Sequence, residues 1–342
     1  MDHAPIHFDL EGRWTRAHFD GAMFLRGFDG VVLERFGADD GADLRIKDAA
    51  VVHARVVEWV RQSAEAPAAA REWDVDRLLG EAARFLVAYR PVGIVPPDRY
   101  RSVIVQATQG CGFNGCLFCS LYKGQRHRVV PVEEFREHVR RVKTFLGSNV
   151  VGRRGVFLGE ANALAMPLAS LVADFEVLRS ELPELAHDVA CFVDAFEAWR
   201  TVEELRQLRS LGLTRVFVGV ESGDSAALAA IGKPASVAGV EALVASLKEA
   251  GLSVGVIFLA GLGEAHVEAS VALVSRLGLA ASDVIYVSPL VVEPASALGV
   301  ALRARGMVRA SAEIALEAEV MRQRLAGRSK VGRYDVRRWV YT

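Results

Sequence analysis

SVIVQATQGCGFNGCLFC (102–119) runs from a short apolar stretch straight into a glycine-rich loop that holds three of the chain's four cysteines, Cys111, Cys116 and Cys119. An unbroken Val/Ile run, with no polar alternation, reads as a strand buried on both faces. The same unit then repeats. Helix VEEFREHVRRVKTFL (132–146) precedes strand GVFLGE (155–160), and helix LASLVADFEVLRSEL (168–182) precedes strand DVACFVDAF (188–196). Helix VEELRQLRSLG (202–212) leads to strand RVFVGVES (215–222), and helix VAGVEALVASLKEAG (237–251) to strand SVGVIFLAG (253–261). Helix HVEASVALVSRLG (266–278) and strand DVIYVSPLVV (283–292) end the series. Regular βα alternation of continuously apolar strands means a parallel sheet, either open and doubly wound or curved into an incomplete barrel. In both, ligands gather at the C-terminal ends of the strands, where the cysteine loop lies.

Residues 1–100 are patterned differently. VVLERF (31–36) reads as a hairpin arm, and AAVVHARVVEWV (49–60) and VDRLLGEAARFLVAY (75–89) carry helical periodicity. PVGIVPPDRY (91–100), with three prolines, reads as a connection. The expected division is therefore a small α+β extension over 1–100, a βα core over 101–295 and a helical tail over 296–342. The 342 residues are 51% hydrophobic and 24% charged, with a net charge of −1, which carries no global electrostatic footprint for nucleic acid. No apolar run reaches the roughly 18 to 20 residues that span a bilayer. The start, MDHAPIHFDLEGRW, has neither the basic nor the apolar region of a signal peptide, so a reducing cytoplasm is the expected compartment.

Thiolates are soft ligands that select zinc, Cu(I) or iron–sulfur clusters. A structural zinc site wants four protein ligands, and His127 is a candidate fourth. A [4Fe–4S] cluster usually takes four thiolates, so three would leave one iron open to a substrate or cofactor. Cys191, in the middle of VACFV, reads as a small hydrophobe and a poor fourth ligand.

The loop resembles that of the radical S-adenosylmethionine (radical SAM) superfamily. There, a C-x3-C-x2-C loop after the first strand of a partial (β/α)6 barrel holds a [4Fe–4S] cluster. Here the first gap is four residues, GFNG, as in a poorly characterised branch, and Phe118 fills the aromatic position before the last cysteine. LGEANAL (158–164) resembles the family's GGE motif, GVESGDSAALAAIGKP (219–234) its segment after the fourth strand, and VGVIFLAGLGE (254–264) its fifth-strand segment. YVSPLVVEP (286–294) resembles the end of the sixth strand. The resemblance implies a partial TIM-like barrel whose metal ligands are Cys111, Cys116 and Cys119. It further implies that Gly159 and Glu160 meet the amino group of S-adenosylmethionine, that Glu221 and Ser222 lie near its ribose and carboxylate, and that Lys233 serves the carboxylate. Val256 and Ile257 would lie along its adenine. The implied cofactors are a [4Fe–4S] cluster and S-adenosylmethionine, with a reductase such as a flavodoxin or ferredoxin as electron donor. The implied reaction is reductive cleavage of S-adenosylmethionine to a 5′-deoxyadenosyl radical that abstracts hydrogen from a substrate.

The substrate is less legible. Tyr122, Lys123, Arg126, His127 and Arg128 follow the loop and could grip a carboxylate or phosphate, or simply form a solvated face. The absence of further cysteines excludes cysteine-bound auxiliary clusters, and no Asp-x-His-x-x-Gly cobalamin signature is present. A small-molecule substrate is expected, with residues 1–100 as a lid or recognition unit. The alternatives are a peptide or RNA modified by the same chemistry, and a non-enzymatic zinc-stapled binding module.

Overall fold

The computed structural model describes residues 6–36, 43–196, 200–327, 329–334 and 341. The chain divides into two compact units. One comprises Met1–Val92, Arg140–Arg153 and Arg337–Thr342, the other Gly93–Val139 and Arg154–Val336. Among the described residues, no helix is long and apolar enough to cross a membrane.

In the first unit, β1 (Ile6–Phe8), β2 (Trp14–Phe19), β3 (Ala22–Arg26), β4 (Val32–Phe36) and β5 (Asp43–Lys47) form an antiparallel meander in chain order. The expected hairpin arm is thus one step of a five-stranded sheet. The two expected helices follow as α1 (Ala49–Gln62) and α2 (Val75–Ala88). Asp48 caps the first by accepting from Ala50 N, and Asp74 caps the second by accepting from Arg77 N. The valines of α1 at 52, 56 and 60 recur every four residues, so they share one face. That face packs with Trp14, Phe24, Val32 and Leu78 into one core.

The second unit is built on a parallel sheet. Its strands are β6 (Val103–Gln106), β9 (Val156–Gly159), β10 (Val189–Asp194), β11 (Leu213–Glu221), β12 (Ser253–Ala260), β13 (Val284–Pro289) and β14 (Lys330–Arg333), with a short antiparallel pair β7 (Thr108–Gln109) and β8 (Arg128–Val129) after the first. The helices between them are α3 (Val132–Leu146), α4 (Leu168–Glu181), α5 (Val202–Leu211), α6 (Ser225–Ala230), α7 (Val237–Glu249) and α8 (Glu264–Arg276), and α9 (Ala297–Ala304) and α10 (Ser311–Leu325) follow β13. The sheet order is β14-β13-β12-β11-β10-β9-β6, the order of a (β/α) arc that does not close. Six strands fall where the apolar runs place them. The seventh, β14, lies in the tail that the sequence reads as helical. KVGR is short and half polar, as an edge strand tolerates, so it leaves no apolar run to find.

One face of the sheet carries a file of rings. Phe157 packs on Phe192 at 5.2 Å between centroids, Phe192 on Phe217 at 5.9 Å, Phe217 on Tyr286 at 6.4 Å and Tyr286 on Tyr334 at 5.9 Å. Gly255 is what admits Phe217: a Cβ there would stand 2.2 Å from the ring. The alternate residues, among them Cys191, Val216, Val218, Val254 and Val256, are buried on the opposite face. At the C-terminal end of β12, the Glu317 carboxylate from α10 accepts hydrogen bonds from the backbone N–H groups of Gly261, Leu262 and Gly263. This clasp fixes the tail helix to a strand end.

Asp174 sits on the buried face of α4 beside Leu171 and Leu178, and among the described residues neither carboxylate oxygen has a hydrogen-bond partner. Burial alone pushes its pKa from 3.8 up to about 7. A carboxyl whose folded pKa is raised holds its stabilising contribution below the unfolded pKa and loses it as pH climbs through the folded one. The loss therefore spans about pH 4 to 7 and amounts to a few kcal/mol. Asp174→Asn should flatten this dependence. Thermal unfolding at pH 5 and pH 8 is the check, with a gain of several degrees over wild type at pH 8 and little at pH 5. An equal difference at both pH values would show that Asp174 does not titrate in this window.

Candidate active site

The cysteine loop leaves the sheet through a narrow neck, because β7 and β8 pair directly across it, Thr108 with Val129 and Gln109 with Arg128. Its first residue is bolted to the next strand: Gly110 N donates to Glu160 Oε2 at 3.1 Å. The four-residue gap is closed by Asn114, which adopts a left-handed backbone (φ +49°) that asparagine tolerates better than most residues. Its side-chain amide donates to Tyr122 O at 2.7 Å, and its own carbonyl accepts from Lys123 Nζ at 2.5 Å. Further along, Leu117 N donates to Ile231 O at 2.9 Å, just past α6. Leu117 and Phe118 pack against Leu228, Ile231, Leu259 and Leu298.

Cys111, Cys116 and Cys119 are free thiols at partly exposed positions of this one loop. Among the described residues no three His, Cys, Asp or Glu side chains converge closely enough to share a single metal ion, so the loop presents separate thiols. Burial pushes the Cys116 thiol up to about 12, against the pull of Lys233, and raises Cys119 as well. Each must lose its proton to bind a metal. Cys191 is elsewhere, on the outer face of β10 between Leu158 and Val216. His127, the candidate fourth zinc ligand, turns its Nδ1 to the Gln109 carbonyl at 3.1 Å. The basic residues after the loop brace it. Arg128 forms a two-pronged pair with Glu134 and also reaches Gln109, while Tyr122 is buried.

Glu160 follows β9 through a cis peptide with Gly159. Its carboxylate accepts from Gln106 Nε2 at 2.6 Å as well as from Gly110 N, and its own N–H donates to Thr108 Oγ1 at 3.0 Å. Gln106 N in turn donates to His138 Nε2 at 2.9 Å. At the end of β11, Glu221 takes a left-handed backbone (φ +61°), a conformation that costs a non-glycine residue about 1 to 2 kcal/mol. It is held there by an ion triad. Lys233 Nζ lies 2.8 Å from Glu221 Oε1 and 2.6 Å from Asp194 Oδ1. Burial would lower the Lys233 pKa, but the two carboxylates outweigh it and raise the pKa, so the ammonium is fixed. Burial raises Glu221, against the opposing pull of Lys233. Gly219 is the floor of the triad: a Cβ there would come within 3.0 Å of all three charged groups. Phe196 lies over the ammonium at 5.6 Å, and its ring meets Phe113 of the cysteine loop at 5.1 Å.

Ser222 is engaged within the protein. Its hydroxyl lies 2.6 Å from His266 Nδ1 and accepts from Asp224 N, while His266 Nε2 reaches Leu259 O at 2.7 Å. That carbonyl can only accept, so Nε2 carries the ring proton and Ser222 donates to Nδ1. Val256 and Ile257 point to opposite faces of β12. Ile257 is opposite Gly219 and Tyr286 on the ring-bearing face, and Val256 lies with Val218 and Ile285 behind it. The structure thus gathers Glu160 at the loop, and Glu221, Lys233 and Ile257 around Gly219. Three residues that the sequence analysis missed complete this arrangement. Gln106 and Asp194 are polar residues closing apolar runs, a signal that was there to use. His266 opens a helix 44 positions from its serine and carries no local signal.

The family model of the Radical SAM superfamily matches residues 105–274. The chain carries a radical SAM domain. Its similarity to solved radical SAM structures is distant. The methyltransferase TsrM from Kitasatospora setae is 18% identical over 64% of this chain and 43% of its own, with a TM-score of 0.44. Coproporphyrinogen III oxidase HemN from Escherichia coli is 15% identical over 70% and 54%, at 0.47. A radical SAM methyltransferase from Sphaerobacter thermophilus is 17% identical over 70% and 68%, at 0.48. This chain therefore spans about half the length of the first two. No curated protein matches it. The radical SAM cofactors are a [4Fe–4S] cluster and S-adenosylmethionine, and the donor set fits the cluster: three soft thiols on one braced loop, with the fourth cysteine on the far side of the sheet.

Iron content measures the ligand assignment. Cys111→Ala, Cys116→Ala and Cys119→Ala should each lose the cluster after anaerobic reconstitution, and Cys191→Ala should retain it; the reverse pattern would overturn it. The triad has a separate test in urea unfolding. Lys233→Met leaves two carboxylates facing each other and should cost about 3 kcal/mol. Adding Glu221→Gln should recover part of that loss, whereas strict additivity would mean that the two residues do not interact.

Proposed function

We propose that this protein is a radical SAM enzyme that acts on a small molecule bound against the ring-lined face of its partial barrel. The observation that carries the proposal is the set of three thiols, and only three, on a loop that Glu160 pins to the C-terminal end of the sheet. Cys111, Cys116 and Cys119 would hold the cluster, which would supply the electron for reductive cleavage of S-adenosylmethionine and so the hydrogen-abstracting chemistry on the substrate. An electron carrier of the flavodoxin or ferredoxin class would deliver that electron to the cluster.

The chain's own residues bind, orient and exclude water. Glu160 holds the loop and, each oxygen having a second lone pair, can also accept from the cofactor's amino group. Glu221 presents Oε2 to the ribose while Oε1 stays with Lys233. Ser222 sets the turn through His266, Lys233 attracts the cofactor carboxylate, and Phe118, Val256 and Ile257 supply apolar wall and strand backbone. A small substrate is supported by Tyr334. Its ring packs on Tyr286, its hydroxyl is buried without a hydrogen-bond partner among the described residues, and it lies within electrostatic reach of Tyr122 and Glu221. A buried phenol with an unmade hydrogen bond suits a polar group of a bound molecule.

Anaerobically reconstituted protein, assayed for iron, sulfide and 5′-deoxyadenosine with dithionite and S-adenosylmethionine, tests the chemistry. About four irons per chain with 5′-deoxyadenosine formed is the expected result. Zinc in place of iron, without cleavage, would make the loop a structural staple. Glu221→Ala should weaken S-adenosylmethionine binding at least tenfold and keep its iron, and unchanged affinity would remove Glu221 from the cofactor site.

A further inference from the structure

The grip of the tail helix α10 on the end of β12 does more than attach the tail. The Glu317 carboxylate accepts three successive backbone N–H groups. Oε1 takes Gly261 N at 2.6 Å and Leu262 N at 3.0 Å, and Oε2 takes Gly263 N at 3.0 Å. Arg309 Nε stands 3.7 Å from Oε2. Gly261 and Gly263 both hold a positive φ (+109° and +104°), and a Cβ on Gly261 would stand 2.9 Å from Ile314 of α10. Two glycines in three residues make the turn costly to order, and one carboxylate that satisfies three N–H groups fixes its shape. The tail has another means of attachment. Ile314, Ala318, Met321 and Leu325 are buried at i, i+4, i+7 and i+11, an apolar stripe of the kind that seats a helix without polar help.

From this turn, contacts lead in two directions to residues proposed for the cofactor. Gly263 caps the start of α8, and His266 stands in the first turn of that helix. His266 Nε2 donates to Leu259 O, on β12 itself, at 2.7 Å, and Nδ1 accepts from Ser222 at 2.6 Å, next to the left-handed Glu221. Burial lowers the His266 pKa and the Glu317 charge is among the influences that oppose it, so the two groups also act on each other through space. In the other direction, Leu259 and Leu262 share one core with Leu117 and Phe118 of the cysteine loop. Loss of the Glu317 clasp would free the two glycines and the start of α8, and with them the hydrogen bonds that hold the Glu221 turn.

We propose, on the reading of this protein as a radical SAM enzyme, that Glu317 is a positioning residue for S-adenosylmethionine. It acts without touching the cofactor: through the Gly261–Gly263 turn and His266 it holds Glu221, Ser222 and the end of β12 in the binding geometry. The test is calorimetric titration of S-adenosylmethionine into the anaerobically reconstituted full chain, with the cluster oxidised so that nothing is cleaved. Glu317→Gln keeps the length of the side chain but replaces one acceptor oxygen by a donor NH2 group. It should retain its iron and bind S-adenosylmethionine roughly fivefold more weakly or worse. His266→Gln combined with Glu317→Gln should cost little more than the worse of the two alone, because both break one route. In unmutated protein, saturation with S-adenosylmethionine should slow hydrogen exchange in 260–266 and also in 311–325, since coupling between two sites is reciprocal. That measurement holds even if the variants fail to fold. Undiminished affinity of folded, iron-replete Glu317→Gln, strict additivity of the two substitutions, or unchanged exchange in 311–325 would each overturn the role of Glu317 and leave the proposed function standing. Iron-replete wild-type protein that does not bind S-adenosylmethionine would overturn that function, and the role of Glu317 with it.

Discussion

The Glu160 carboxylate carries more of the candidate site than any other group. One oxygen takes the amide of Gln106 at the end of β6, and the other takes the backbone N–H of Gly110 at the start of the cysteine loop. Thr108 closes the circle by accepting from Glu160 N and donating to Ala161 O. These bonds join two adjacent strand ends to a loop that has no regular structure of its own. Hydrogen bonds to an ionised acceptor are each worth roughly 1.5 to 3 kcal/mol, and burial keeps solvent from competing for them. A loop with this many glycines loses much conformational freedom on ordering. The bonds from Glu160, together with those of Asn114 and Leu117, offset that loss. The same carboxylate is thus a structural clamp before it is anything to a cofactor.

The remaining polar groups follow the same economy. Lys233 is shared by Asp194 and Glu221, and His266 is held between Ser222 and the Leu259 carbonyl. Each of these donors meets an acceptor, and the strained backbone of Glu221 sits where such pairs hold it. Glu221 keeps its left-handed conformation because its side chain is tied to Lys233 on one side and its successor's hydroxyl to His266 on the other. A site assembled in this way is preorganised: it can present charge to a ligand without first rearranging. The cysteine loop shares in this arrangement through the contact of Phe113 with Phe196 and through the pull of Lys233 on the Cys116 thiol.

The six strands of the βα series were legible because a strand buried on both faces must be apolar throughout, and such runs are visible in one dimension. β14 was not, since an edge strand lacks that requirement, and KVGR looks like part of a polar tail. The three cysteines were legible from spacing, which is local. Glu160 was named through the resemblance, for the cofactor's amino group; its bond to the cysteine loop was not legible, because the two segments meet only through strand pairing. Asp194 closes an apolar run, which is a local signal, but its pairing with Lys233, beyond the next strand and helix, is not. Val256 and Ile257 were named together because the resemblance places strand backbone along the adenine; their side chains point to opposite faces, as the two-residue period of a strand requires.

Arg13 and Arg26 make an instructive pair, because they sit in one unit, both almost wholly buried, and differ only in their partners. Arg13 donates to Asp9, to Glu81 and to the Phe145 carbonyl, and its guanidinium lies over the Phe28 ring at 4.6 Å. Every direction of the fork is used. Arg26 feels the same carboxylates and bonds none of them. If the first unit needed only a buried counter-charge, Arg13 already supplies it, and a methionine or leucine at 26 would pack as well without the desolvation cost.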